Sequence, residues 1–403
     1  MLTSISLIFL CGLLLGGFFK LLRLPSLIGM IITGMVLGPH MLNLLDDSIM
    51  SISYDLRQIA LVIILTRAGL SLNIADLKKV GRPAVLMCFV PACFEIVGAV
   101  LLAPRFLNVT VAEAALMGSV IAAVSPAVIV PRMIKLIEEG YGKEHSIPQL
   151  ILAGASVDDV FVIVMFTAFS GLVAGNRAIS AVSFVQVPIS IVLGIVTGSL
   201  LGLILIFFFK KVHIRDSVKL IIIISLSFLL LQMQDSLEGV VPFSGLIAIM
   251  SVGIILKQRY DVLAIRLSGK YNKLWVAAEI MLFVLVGATV DLNYAVSEGA
   301  MAIVLVLGTL IFRMAGVLCC LIKTQLTLKE RLFCMLAYIP KATVQASIGA
   351  IPLTMGLFCG DMVLTVAVLS ILITAPMGAI CVDLLHDKLL EKNKPMEENN
   401  YGI

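Results

Sequence analysis

The chain has 403 residues, of which 60% are hydrophobic and only 13% charged, and this balance excludes a soluble globular domain. Its apolar runs are continuous and about 20 residues long rather than alternating, so they read as membrane helices and not as barrel strands. The net charge of +4 is too small and too dispersed to suggest a nucleic-acid surface, and no nucleic-acid partner is expected.

In chain order, thirteen hydrophobic helices are predicted over residues 3–19, 24–43, 55–75, 83–104, 111–137, 147–174, 181–209, 217–233, 240–256, 273–292, 300–322, 328–356 and 361–385. A polar tail over residues 387–403 follows. Lys20 and Arg23 come after the first run, whereas a cleaved signal peptide carries its basic residues before it, so the first helix is expected to be retained. The eight cysteines lie within or at the ends of apolar segments and make no spaced set with histidines, so neither a disulfide framework nor a zinc site is indicated. No hydrophilic stretch is long enough for an ATPase domain and no G-x-x-x-x-G-K-[ST] occurs. Uphill transport by such a chain would draw on a second gradient.

Basic residues give the orientation. Arg67, Arg313 and Lys341 fall within predicted helices. Of the remaining 26 Lys and Arg, only Arg57, Arg105 and Arg177 sit on one side, and 23 sit on the other. The positive-inside rule therefore places the N-terminus outside and the C-terminus in the cytoplasm of a multi-pass protein of the plasma (inner) membrane.

Weak internal similarity recurs at a nearly constant offset. L-P-S-L-I-G from Leu24 echoes V-P-F-S-G-L from Val241, T-R-A-G-L-S-L-N echoes V-G-A-T-V-D-L-N, and S-P-A-V-I-V-P from Ser125 echoes I-P-K-A-T-V-Q from Ile339. The spacing pairs predicted helices one to six with eight to thirteen, and seven intervening helices reverse direction across the bilayer. The expected domains are a first inverted repeat over 1–180, a linker helix over 181–212 and a second inverted repeat over 213–386. This is the architecture of alternating-access secondary transporters.

Chemistry is concentrated in a few charged and helix-breaking residues at membrane depth. Predicted helix five contains Pro126 and Pro131, and its counterpart, helix twelve, contains Pro340 beside Lys341. Each proline frees backbone carbonyls, and paired discontinuities at a repeat interface are where ion sites form. Glu95, Arg313 and Lys341 are candidate charge-compensating groups, and Glu279 and Arg67 carry no assigned role. Asp158 and Asp159 are adjacent on helix six in a run with no other charge. A single carboxylate at that depth costs ~3 kcal/mol on insertion scales, so two demand compensation or a job. Carboxylate, hydroxyl and carbonyl oxygens are the ligands of hard monovalent cations.

The combination S-P-A-V-I-V-P, G-A-S-V-D-D-V, F-R-M-A-G and P-K-A-T-V-Q-A resembles the monovalent cation/proton antiporter superfamily, nearest the NHA-type sodium/proton exchangers. That resemblance implies an NhaA-like all-α fold with crossed discontinuous helices, in which a six-helix core moves against a dimerisation domain in a homodimer. It further implies that Asp159 is the main cation and proton carboxylate, with Asp158 paired to Lys341 and Arg313 paired to Glu95. Ser156, Ser125 and carbonyls near the breaks would complete the shell around Na⁺ or Li⁺. Monovalent cations, protons and membrane lipid are the expected partners, and no cofactor is expected. A K⁺/H⁺ antiporter, a channel or a cation-coupled solute symporter on the same fold remains open. An intramembrane aspartyl protease is a remote alternative, because its two carboxylates must face one another from separate segments. His145 and His213, with Glu138, Glu139 and Glu144, are candidates for a cytoplasmic pH sensor.

Overall fold

The computed structural model describes residues 1–71, 81–174, 181–237, 241 and 243–392. The side chains of residues 156, 181–188, 235 and 292–298 lie outside this description, as does the predicted polar tail beyond residue 392. All named elements among the described residues are helices. They are α1 (Leu2–Leu21), α2 (Ser26–Leu37), α3 (Asp47–Ser51), α4 (Ser53–Ser71), α5 (Arg82–Met87), α6 (Val90–Phe106), α7 (Val111–Ile121), α8 (Pro126–Glu139) and α9 (Ile147–Ala174). After them come α10 (Ala181–Lys211), α11 (Asp216–Leu237), α12 (Gly245–Arg259), α13 (Asp261–Ala288), α14 (Leu292–Cys320), α15 (Leu328–Ala337), α16 (Thr343–Ile348), α17 (Ile351–Thr354) and α18 (Gly360–Leu389). Nine spans among the described residues are long and apolar enough to cross a membrane.

The sequence pattern explains where these helices stop. Pro91 in the first turn of α6 lacks the amide that would continue α5, so the predicted run over 83–104 is interrupted at Cys88 and Phe89. Thr110 and Glu113 form a reciprocal cap at the start of α7, and Thr327 and Glu330 do the same at the start of α15. Helix α13 begins at Asp261, twelve residues before its predicted start at 273. Arg266, Lys270 and Lys273 are helical there, and two of them are anchored sideways: Arg266 pairs with Asp216 at 2.9 Å and Lys270 donates to Ser217 at 3.0 Å. Charged residues at a membrane surface had the pattern of a connector but continue the helix.

Helices pack in two groups. In one, α13 lies against α2 and α4, α12 against α4 and α10, and α1 against α2. Small residues set the closest approach: Gly34 of α2 abuts the backbone of Val284, while Gly287 abuts that of Ile31, so a Cβ at either would push the helices apart. In the other group α6 packs on α14 and α7, α9 on α7 and α8, and α18 on α14 and α15. The second group carries both interrupted helices. It meets the first where α16 contacts α4 and α13 and where α9 contacts α10 and α12.

Candidate functional site

Two helices unwind in the second group and cross. The α7 helix ends at Ile121, residues 123–125 are extended, and Pro126 opens α8. The α15 helix ends at Ala337, residues 339–342 are non-helical, and Thr343 opens α16. Pro126 suits the first turn of a helix because its missing amide would be unsatisfied there anyway. Pro131, expected to interrupt its helix, instead lies inside the continuous α8, whereas Pro340 lies in the second non-helical segment. The segments are joined where the Ser125 amide donates to the Pro340 carbonyl at 2.7 Å.

The crossing frees polar backbone, and buried side chains take it up. Gln345 donates from Nε2 to the Ala123 carbonyl at 2.9 Å and accepts from the Ala342 amide at 2.9 Å, so it fastens both breaks together. Thr374 of α18 accepts from the Lys341 amide at 3.0 Å. The carbonyls of Ile121 and Ala122, at the C-terminal end of α7, accept from Lys341 Nζ and Arg313 Nη1. Cations at the negative end of a helix dipole are electrostatically matched.

Five ionisable groups meet at this crossing. Arg313 of α14, 1% exposed, donates from Nη1 to Glu95 at 3.0 Å, from Nη2 to Asp158 at 2.9 Å and from Nε to the Tyr338 carbonyl at 2.8 Å. Lys341 Nζ sits 2.7 Å and 2.8 Å from the two carboxylate oxygens of Glu95. Asp158 Oδ2 also accepts the Val124 amide at 2.7 Å. Asp159, 9% exposed, has neither hydrogen bond nor ion pair among the described residues. Its carboxylate faces a narrow cavity, about the size of a water molecule, lined by Leu61, Leu65, Ile163, Thr343 and Ser347. Ser125 Oγ, Asp158 Oδ1 and Asp159 Oδ1 are buried without partners among the described residues. Three carboxylates and two cations leave the cluster, in ordinary charge states, one negative charge in excess.

Residues 5–385 match the family described as "Sodium/hydrogen exchanger, transmembrane". The chain belongs to the sodium/hydrogen exchanger family. Human sodium/hydrogen exchanger 9B2 is 31% identical over 97% of this chain and 75% of its own length. Human sodium/hydrogen exchanger 9B1 is 30% identical, with 97% and 79% covered. The solved structure of the sodium proton antiporter MjNhaP1 from Methanocaldococcus jannaschii at pH 8 superposes with a TM-score of 0.81. It is 21% identical over 96% of this chain and 97% of that one, a likeness of fold. The exchanger is thus a multi-pass membrane transporter and not an enzyme, which removes the protease alternative.

Asp158, Asp159, Ser125, Glu95, Arg313, Lys341, Pro126 and Pro340 gather at the crossing, and one expected pairing is corrected. Lys341 is not the partner of Asp158: it pairs with Glu95, while Arg313 pairs with both Glu95 and Asp158. The reason is reach and shape. A planar guanidinium with five donors can bridge two carboxylates and two carbonyls at once, whereas the Lys341 ammonium has its donors already directed at Glu95 and Ile121. The expected Arg313–Glu95 pair is present. The Ser156 side chain lies outside the described residues. Gln345, Thr374 and Tyr338 were missed as contributors. Gln345 had a signal, being the only amide in P-K-A-T-V-Q-A, immediately after the break. Arg67 and Glu279 lie away from the crossing, within electrostatic reach of one another, and Arg67 also stacks 6.0 Å from the Trp275 ring.

Proposed function

We propose that this exchanger moves Na⁺ or Li⁺ against H⁺ by alternating access, with both ions competing for Asp159 and the adjoining oxygens. The observation that carries this reading is the one uncompensated charge at the crossing: Arg313 and Lys341 answer Glu95 and Asp158, and Asp159 is left alone among the described residues. A lone buried carboxylate is costly unless it binds a cation, and either a proton or an alkali ion serves. Asp159, Asp158 Oδ1 and Ser125 Oγ supply oxygen ligands of the class such ions take, and Ser156 lies one turn before Asp159 on the sequence. Because the two occupancies exclude one another, one site opened alternately to the two sides suffices for exchange. Lys341, Arg313 and Glu95 balance the remaining charge, and the breaks at Pro126 and Pro340 shape the vestibule.

The architecture follows the same reading. Nine long spans are joined by α2, α4, α12 and the interrupted α15–α17 to make thirteen crossings. Residues 1–180 and 213–386 are taken as inverted repeats, with α10 as the linker, and the corresponding positions of the α7–α8 and α15–α16 breaks support this. The N-terminus is outside and the C-terminus is cytoplasmic, in a plasma-membrane homodimer surrounded by lipid. The group bearing the crossing moves against the group of α1, α2, α4 and α10–α13.

Purified protein in proteoliposomes tests the proposal. Wild type is expected to acidify or alkalinise the lumen on addition of Na⁺ or Li⁺, and Asp159→Asn to abolish this while leaving the protein folded. Robust Na⁺-dependent proton movement by Asp159→Asn would refute it.

A further inference from the structure

A further buried cation, outside the crossing, has no carboxylate partner among the described residues. Arg57, in the second turn of α4, is 7% exposed. Its Nε donates to the Ser53 carbonyl at 3.2 Å, while Nη1 is buried without a partner. No carboxylate lies within ion-pair distance of it among the described residues; Asp55 of the same helix is exposed. Leaving an arginine buried and unpaired costs several kcal/mol in general, about what a broken internal pair costs. A residue so placed is explained by function better than by stability.

Its position gives that function. Arg57, Tyr54 and Gln58 of α4 line a small cavity whose other wall is Ser347, Ala350 and Ile351. Ser347 also lines the cavity that Asp159 faces, together with Leu61 and Leu65 of α4 and Thr343 of α16. The two cavities are therefore successive steps along one seam between α4 and the segment after the second break. Arg57 is one turn, about 6 Å along the helix axis, before Leu61, which lines the cavity that Asp159 faces. The seam is also where the two helix groups meet and would part.

We infer that this seam is the cation's route on the face where α4 begins and that Arg57 is its charge filter. A hydrated cation arriving from that side must pass a fixed positive charge before it reaches Asp159, whereas one arriving from the opposite face does not. Arg57 thus sets the rate of cation entry, and with it the apparent KM, from one side only, resting on the reading of Asp159 as the ion site. A full charge within about 10 Å of a passing cation, in an interior of effective dielectric about 20, changes local cation occupancy by roughly three- to tenfold after partial screening.

The test is exchange in right-side-out and everted vesicles. Arg57→Gln should lower the KM for Na⁺ roughly three- to tenfold on the α4-start face and leave it within about twofold on the other. Arg57→Lys, which keeps the charge, should retain the wild-type value on both faces. A purely structural arginine would change both faces alike or be mimicked by neither variant in this pattern, and that result, or an unchanged KM on both faces, overturns the inference. Should Arg57→Gln not fold, Gln58→Cys replaces it, read against the parent that keeps its native cysteines. Anionic thiosulfonate reagents should modify the thiol introduced by Gln58→Cys faster than cationic ones of the same size, and equal rates would overturn the filter. Absence of exchange by the wild type in the same vesicles would refute the proposed function instead, so the two failures are distinct.

Discussion

Ser125 and Pro340, 215 residues apart in the chain, are joined backbone to backbone at the crossing, the amide of one donating to the carbonyl of the other at 2.7 Å. Proline has no amide of its own to return the bond, so the contact is one-directional and depends on how the Pro340 ring is seated. That seat is Gly378 of α18, where a Cβ would run into the pyrrolidine ring. Gly378→Ala is expected to displace the second break, lower thermal stability by about 1–3 kcal/mol and reduce exchange. At Gly299 a Cβ would meet, among the described residues, Leu369 alone, at an ordinary 3.9 Å, so Gly299→Ala serves as the control. Equal melting temperatures for the two variants in detergent would show that the seat is not tight.

Glu95 holds the network together. It takes both Arg313 and Lys341, and it is fully buried. Glu95→Ala would leave the Lys341 ammonium with the Ile121 carbonyl alone, an uncompensated buried cation, and is expected to cost about 3–5 kcal/mol. Glu95→Ala combined with Lys341→Met removes both charges and should recover most of that loss, as replacing a whole buried pair usually does. Thermal unfolding of the single and double variants measures the coupling, and additive effects would refute it.

Stoichiometry follows from where Lys341 is tied. Because it pairs with Glu95 and not with the aspartates, an alkali ion arriving at Asp159 does not displace its partner. On the proposed function, one Na⁺ or one H⁺ would neutralise the excess charge at the crossing, and the loaded site would cross uncharged in either direction. Purified protein on a solid-supported membrane should show Na⁺-driven proton exchange with no steady charge displacement. A sustained sodium-dependent current would mean that Lys341 gives up its proton during the cycle.

These residues also mark what the sequence could and could not tell. The run over 147–174 was bounded by polar connectors and free of any charge but Asp158 and Asp159, so α9 has the predicted limits. Both helix breaks were visible because proline acts locally. Partner choice was not visible. Whether Asp158 meets Arg313 or Lys341 depends on helix rotation and side-chain reach across the crossing, neither of which a linear spacing encodes. The role of Arg57 was hidden for the same reason, since a basic residue near a helix end has the pattern of an interfacial anchor until its burial is known.

Beyond the membrane spans, His145 in the turn between α8 and α9 sits 2.9 Å from Glu330 at the start of α15, linking the two interrupted helices at their outer ends in the second group. The hydrogen bond with Glu330 holds the imidazole above its ordinary value of about 6.5, aided by the charges of Glu330, Glu144 and Glu391 and opposed by slight burial. Raised in the folded state, the group adds stability that is complete below its unfolded value and is lost as pH rises through the folded one. His213, the other histidine of the expected sensor, is exposed in the turn before α11 and is not part of this contact. Wild type should therefore lose melting temperature relative to His145→Gln as pH is raised from about 6 through the raised value, and the two should differ little once the imidazole is neutral. Melting curves of the two proteins across that range decide the point: parallel curves at every pH would show that the His145–Glu330 contact carries no proton-linked stability.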